Sequence, residues 1–569
     1  MVPGPDERGR QVRARLLVAA GLLLGFATAG GADPAGAAAT SATTGRLVVL
    51  ADPGAAGVEA ARAAVARAGA RRAGPAVPQI GLVTARPRHR EPLAAAARRL
   101  ARQPGVRAVQ LERRMRLRDV PDDPALHDAE PAAGSGLSPL PAGTPLQWPL
   151  VRSSFPAAWD VTHGERALVG VVDTGVDATH PELASKLAAV VDQRGSGNAN
   201  VPPTTDEDGH GTHVASLACA ATANAAGIAG AGRDCRLVVE KTDLSDASIA
   251  ASIVDATDRG VHAINMSFGD DGSRPASEAI VRALRYAAHR RVVLVAAAAD
   301  EPVREQGDPA NVLQPTGSGG DLRAGSGLSV TAATYSGARA SFAGFGSQIS
   351  IAAYGTAGGA GAAPPGVLGA FPSTPTRFEQ GAKPCHCRAS VAGDTRYGYL
   401  AGTSMAAPQV TAAAALVRAL NPDLSAREVV RLLKRTADRP AGTGWTADLG
   451  WGILDAGRAV AVARTLDRRA PSSQLTAVPG ARRGVLALRW SAEDHAPAGV
   501  VASGVRSVEV TIAPVGGEAI RRVVYGARVH AANVQVAPGV RYTLRARALD
   551  RAGNRERGGQ RSTVVRAPR

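Results

Sequence analysis

Three short stretches hold side chains that together could attack a carbonyl. In Gly402-Thr403-Ser404-Met405-Ala406-Ala407-Pro408 a serine stands among small residues, at the head of an alanine-rich apolar run that continues to Leu420. That pattern places Ser404 at the start of a buried helix, where free N–H groups and the positive end of the helix dipole favour developing negative charge. Taken alone, the same serine would serve as an N-cap. Asp173 closes the apolar run that begins at Ala167, and His210 opens His210-Gly211-Thr212-His213-Val214-Ala215-Ser216 after an acidic, Gly-containing loop. A serine nucleophile needs a base, and the base needs an orienting carboxylate. One strand end and two helix starts can converge at the carboxyl edge of a parallel sheet.

In the order Asp, His, Ser, and with Asn265-Met266-Ser267-Phe268-Gly269 between them, these stretches resemble the subtilisin-like serine proteases (subtilases), whose triad runs in that order. The resemblance covers roughly Phe155 to Val462. It implies a serine endopeptidase in which Ser404 is the nucleophile, His210 the general base and then acid, and Asp173 the group that holds the imidazole. It also implies that Ser267, Phe268 and Gly269, with Ala297 and Ala299, line the substrate cleft, and that the Ser404 backbone N–H belongs to the oxyanion hole.

At one position the chain departs from the family. After Val295-Ala296-Ala297-Ala298, where subtilases continue with Gly-Asn, this chain has Ala299-Asp300. An ionised carboxylate has no proton to donate to an oxyanion. In subtilisin itself, losing that donor costs about 100- to 1,000-fold in turnover. Three expectations stand open: Asp300 is held protonated and donates; Gln306 or Asn311 from the following loop takes over; or the cleft is catalytically impaired and kept for binding.

The elements that must position these residues can be read from pattern. Uninterrupted apolar runs at 167–172, 237–241, 263–266, 292–298 and 329–333 alternate with helical segments at 247–259 and 276–290, which signals an α/β domain with a parallel sheet and helices on both faces. This peptidase domain is expected over 145–463. Before it, strand-like runs at 46–50, 79–84 and 106–111 and helices at 58–68 and 91–102 give a small α+β unit over 46–118 that resembles the ferredoxin-like inhibitory propeptide of subtilases. Residues 119–144, rich in Pro, Gly, Ala and Asp, have the composition of a linker and would hold the processing region. Short alternating runs over 470–569 resemble a fibronectin type III or immunoglobulin-like β-sandwich.

Residues 1–32 read as a signal peptide, with Arg8, Arg10, Arg13 and Arg15 before an apolar run too short for a membrane span. The expected destination is extracellular, with no membrane attachment after signal removal. The formal net charge is +17 over 569 residues. Basic residues dominate 46–118 and 464–569 while acidic ones dominate the segment between, and no aromatics interleave the basic runs to stack on bases. The expected partners are therefore a protein or peptide substrate and the chain's own propeptide, not nucleic acid, with a monomeric assembly. The 4 cysteines suit an oxidising compartment. Local pairing of Cys219 with Cys235 is expected, leaving Cys385 and Cys387 free or, with His386, metal-bound. No cofactor is needed for the chemistry. Structural calcium fits the resemblance, with Asp177 and Glu182 in the matching loop.

Overall fold

The computed structural model describes residues 43–569 apart from 89–90, 114–120, 135–137, 196–200, 271, 273–274, 359–365, 383, 441, 443 and 558–562, so the signal peptide expected at 1–32 lies outside the described residues. The chain divides into two compact units, Met1–Arg116 and Leu117–Arg569.

In the first unit, β1 (Thr43–Leu50), α1 (Ala55–Arg67), β2 (Arg71–Val77), β3 (Leu82–Arg86), α2 (Leu93–Ala101) and β4 (Ala108–Arg113) form an antiparallel sheet in the order β2-β3-β1-β4. The β-α-β-β-α-β succession is that of a ferredoxin-like unit. Alternation along β1 turns Leu47 and Val49 inward against Val58, Ala61 and Val65 of α1 and Leu100 of α2. Strand β2 was not visible in the pattern because it contains Gly74 and Pro75; at the edge of the sheet a proline is tolerated.

The second unit opens with α3 (Trp148–Arg152) and α4 (Phe155–Trp159), then alternates β5 (Leu168–Asp173), α5 (Pro181–Ala184), β6 (Leu187–Asp192), α6 (His210–Cys219), β7 (Arg236–Lys241), α7 (Asp246–Asp258), β8 (Ala263–Met266), α8 (Glu278–His289), β9 (Val293–Ala297), α9 (Ala310–Leu313), β10 (Leu328–Ala333) and β11 (Ile351–Tyr354). The seven strands form one parallel sheet in the order β11-β10-β9-β8-β5-β7-β6. The central strands are buried throughout, which explains their continuous apolar runs. Beyond the sheet, β12 (Val367–Ala370), α10 (Arg377–Gln380), β13 (Arg388–Val391) and β14 (Asp394–Leu400) build a small antiparallel sheet ordered β12-β14-β13. The core helix α11 (Thr403–Leu420) follows, then α12 (Ala426–Thr436) and α13 (Ala456–Thr465).

Residues 121–147 differ from the linker their composition suggests. Asp123 and Ala125 are wholly buried, Ala125 N donates to Gly227 O, and the Gln147 side chain bonds both N and O of Ala229. A proline-rich stretch can pack this way because its few polar backbone groups find fixed partners on the body.

The C-terminal strands β15 (Ser472–Pro479), β16 (Val485–Glu493), β17 (Val505–Pro514), β18 (Arg521–Gly526), β19 (Ala531–Gln535), β20 (Arg541–Asp550) and β21 (Thr563–Arg566) form two antiparallel sheets, β15-β16-β19 and β18-β17-β20-β21. Trp490, Leu486, Val510 and Leu544 fill the space between them. The buried Tyr542 hydroxyl accepts from Ala537 N, a few residues upstream, as in a tyrosine corner. At the junction with the preceding helices Arg468 pairs with Glu428, and Asn421 donates to Leu466 O. No described helix is long and apolar enough to cross a membrane.

Candidate active site

Asp173 ends β5 with 2% of its surface exposed, and its Oδ1 lies 2.7 Å from His210 Nδ1 while accepting from Thr174 N. His210 is the first residue of α6. The preceding Gly209 has φ 92°, where a side chain would be strained, and a Cβ there would meet Thr376 at 2.7 Å. Burial acts to lower the His210 pKa. The charge and hydrogen bond of Asp173, with Asp208 and Asp206 beyond it, outweigh that and push it up to about 9.

One residue that motif reading missed organises this half of the site. Asp206, 3% exposed, accepts from Gly209 N and Thr174 Oγ1 through Oδ1, and from Thr212 N and Oγ1 through Oδ2. Thr174 Oγ1 in turn accepts from Gly211 N. The carboxylate thus ties the end of β5 to the first turn of α6 and satisfies that turn's free N–H groups. Its sequence signal was an aspartate four residues before the histidine, hidden in a run of acids.

Ser404 sits in the first turn of the 18-residue α11. Its Oγ donates to Ser267 O at 3.1 Å, and Ser267 Oγ donates back to Ser404 O at 2.9 Å. Asn265 and Thr411 brace this exchange: Asn265 Nδ2 donates to Ser267 Oγ, and Thr411 Oγ1 donates to Asn265 Oδ1. In this conformation Ser404 is not hydrogen-bonded to His210. Such bonds are often loose before substrate arrives.

Asp300 lines the cleft beside Ser404 together with Phe268, Gly269, Ala297 and Ala299, in a cavity of about 190 Å³. Its Oδ1 accepts from Thr403 N at 2.7 Å and contacts Thr403 Oγ1 at 2.9 Å, whereas Oδ2 bonds no described group. Asp300 is open to solvent on the cleft side and surrounded by protein on the others. That enclosure raises its carboxyl pKa despite the lowering effect of the Thr403 bonds; Glu301 adds to the rise and His210 opposes it.

The substitutes expected from the loop are engaged elsewhere. Gln306 is 2% exposed, with Oε1 accepting from Ala299 N and Nε2 donating to Val303 O and Phe345 O. Asn311 begins beyond Asp308 and does not line the cavity. Both are therefore corrected from oxyanion donors to structural residues.

His213, the second histidine of its motif, is fully buried with Nε2 near Val367 O and Gly398 O, and burial pushes it down to about 3. Cys219 is bonded to Cys235. Cys385 and Cys387 are bonded to each other across His386, so the free or metal-bound reading of that pair is withdrawn.

Both residues expected to hold calcium have their oxygens engaged within the protein. Asp177 has no capacity left for a cation, since Oδ1 accepts from Thr179 N and Oγ1, and Oδ2 from Ser373 N and Oγ. Glu182, which burial pushes up to about 7, is engaged as well: Oε1 accepts from Ile228 N and the Tyr397 hydroxyl, and Oε2 from Asn224 Nδ2.

A profile described as "Subtilase family" matches residues 164–452. The thermophilic serine proteinase of Bacillus sp. (strain AK1) is 31% identical over 295 residues, covering 50% of this chain and 60% of that protein. Thermitase of Thermoactinomyces vulgaris is 29% identical over 294 residues, 51% of this chain and 87% of its own. Subtilisin BL of Lederbergia lenta is 30% identical over 317 residues, 55% of this chain and 97% of its own. The chain thus spans less than two thirds of the first relative and nearly all of the last.

Proposed function

The chain belongs to the subtilase family, and from that premise we propose that it is a secreted serine endopeptidase made as a self-inhibited zymogen, with residues 46–118 as the inhibitory propeptide. Ser404 Oγ turns from Ser267 O to His210 Nε2, gives up its proton there and attacks the scissile carbonyl. The tetrahedral oxyanion is met by the Ser404 N–H at the head of α11 and by Asp300. His210 passes its proton to the leaving amine, an acyl-enzyme remains, and water releases it by the same steps. Asp173 holds the imidazole in the productive tautomer throughout. What supports the reading most is the 2.7 Å contact between Asp173 and His210 in a chain whose Ser404 heads the core helix.

The test is self-processing of the full chain beside its Ser404→Ala variant, followed by peptide hydrolysis. Cleavage by the wild type alone is the expected result. Identical behaviour of the two proteins, with no turnover at any pH, would leave the second reading, which Asp300 favours: a catalytically impaired subtilase fold kept as a secreted binding protein.

A further inference from the structure

We infer that the pocket beside Ser404 selects a cationic side chain, lysine or arginine, in the residue whose carbonyl is attacked. This rests on the protease reading above and names its substrate class.

The pocket walls are Phe268-Gly269-Asp270 on one side and Ala297-Ala298-Ala299-Asp300-Glu301 on the other, with Gly307, Thr403 and Ser404 completing the lining. Three of these residues carry carboxyl groups, and among the described residues no lysine, arginine or histidine lines the pocket. None of the three carboxyl groups forms an ion pair among the described residues, so no described cation neutralises Asp270 or Glu301.

Asp270 is the most firmly placed of the three. Its Oδ1 accepts from Gly272 N at 3.0 Å and from Asp308 N at 2.8 Å, which fixes the rotamer without cancelling the charge. Gly307 makes room for it: a Cβ at that position would lie 2.0 Å from both the backbone oxygen and Oδ1 of Asp270. Glu301 is exposed at the rim, and its side chain makes no hydrogen bond or ion pair to a described group. Asp300 is tied to Thr403 and serves the oxyanion side, so discrimination falls to Asp270 and Glu301.

The remaining lining is Phe268, three alanines, two glycines, Thr403 and Ser404, so the apolar part of the wall comes from Phe268 and the alanines. An apolar wall with fixed carboxylates suits a side chain with an aliphatic stem and a charged head, which is the build of lysine and arginine. An acidic residue would meet like charge, and a leucine or phenylalanine would strip water from the carboxylates with no compensating partner. Partial enclosure limits screening by salt.

The full chain is assayed with matched peptides differing only at the residue before the cleaved bond: arginine, lysine, leucine or glutamate. We expect kcat/KM for arginine and lysine to exceed that for leucine by about 10- to 100-fold, with glutamate lowest. Asp270→Asn keeps an acceptor for Gly272 N and Asp308 N while removing the charge, so it should lower the arginine-to-leucine ratio about tenfold, and Glu301→Gln should lower it less. Equal cleavage of arginine and leucine peptides, or a ratio unmoved in both variants, overturns the inference and leaves the protease reading intact.

Benzamidine binding to the Ser404→Ala protein provides a readout that needs no turnover. Saturable binding lost in the Ser404→Ala, Asp270→Asn double variant supports the cationic pocket even if no peptide is cleaved. Absence of binding together with absence of preference overturns it.

Discussion

The two halves of the cleft are built on different principles. On the base side, the chain around Asp173 and His210 is held by a connected set of hydrogen bonds, with only Asp173 Oδ2 left without a partner in it: Asp206 fixes Thr174, Gly209 and Thr212, and Thr174 fixes Gly211. Every donor in that set has its acceptor whatever the pH near neutrality. On the nucleophile side, Ser404 is turned to Ser267 O, and the carboxyl group of Asp300, proposed above to meet the oxyanion, could do so only while carrying a proton. Geometry is over-determined in one half, while protonation decides in the other. The two demands also oppose each other: His210 must be neutral to accept a proton and becomes so as pH rises through about 9, whereas Asp300 donates only while protonated and loses that ability as pH rises.

The comparison breaks most severely if the base side is altered while its scaffold is kept. Asp173→Asn keeps the size of the side chain but replaces the carboxylate whose Oδ1 Thr174 N and His210 Nδ1 share with a neutral amide. Loss of the productive tautomer is expected to lower kcat by about 10⁴-fold with little change in KM, measured by steady-state hydrolysis. A loss of only a few fold would mean that Asp206 and its bonds, not the Asp173 charge, orient the imidazole.

A change of opposite sign is expected across the cleft. Asp300→Asn supplies an amide donor at every pH and still accepts from Thr403 N through its oxygen. Turnover should therefore rise by up to about 100-fold at pH values where the wild-type Asp300 carboxyl is ionised, and any loss of rate caused by that ionisation should be absent from the variant's profile. If the variant is no faster at any pH, Asp300 is not the oxyanion donor, and the Ser404 N–H acts without a second partner.

The same contrast explains what could be read from the chain alone. The base and nucleophile motifs were legible because each is a short run in which residue type and local structure coincide: a buried strand ending at Asp173, a helix opening at His210, another at Ser404. Strands β5, β7, β8, β9 and β10 showed as apolar runs because both faces of the sheet are covered. Edge strands β6 and β11 did not: β6 is only half-buried, and β11 is four residues long. The small sheet β12-β14-β13 was missed since its strands carry Gly369 and Gly398, which close approach to His213 and Phe371 requires. Asp206 and the commitment of Gln306 were illegible for another reason. Both act through tertiary hydrogen bonds, and a sequence window does not show which of several acids or amides in a loop will be buried.

The smallest expected effect probes how the acidic side sets the base. Asp208 contributes to the raised pKa of His210 without touching it by a hydrogen bond, ranking below Asp173 among the causes. Asp208→Asn should therefore move the rising limb of kcat/KM to lower pH by about half a unit and leave the plateau unchanged. Below that limb His210 is protonated and cannot take the Ser404 proton, so the variant is expected to be about threefold faster than wild type at pH 7. The same charge has a linked effect on stability. Since the folded pKa of His210 lies above its ordinary value, the pair with Asp173 stabilises fully below about pH 6.5 and loses that contribution as pH rises through about 9. Burial raises the pKa of Asp208 itself, so its charge costs stability at high pH; Asp208→Asn should therefore raise Tm at pH 10 and do so less, or lower it, at pH 6, where charged His210 gains from Asp208. A limb that stays in place while Tm falls equally at both pH values would show Asp208 to be a packing residue, and the field at His210 to come from Asp173 and Asp206 alone.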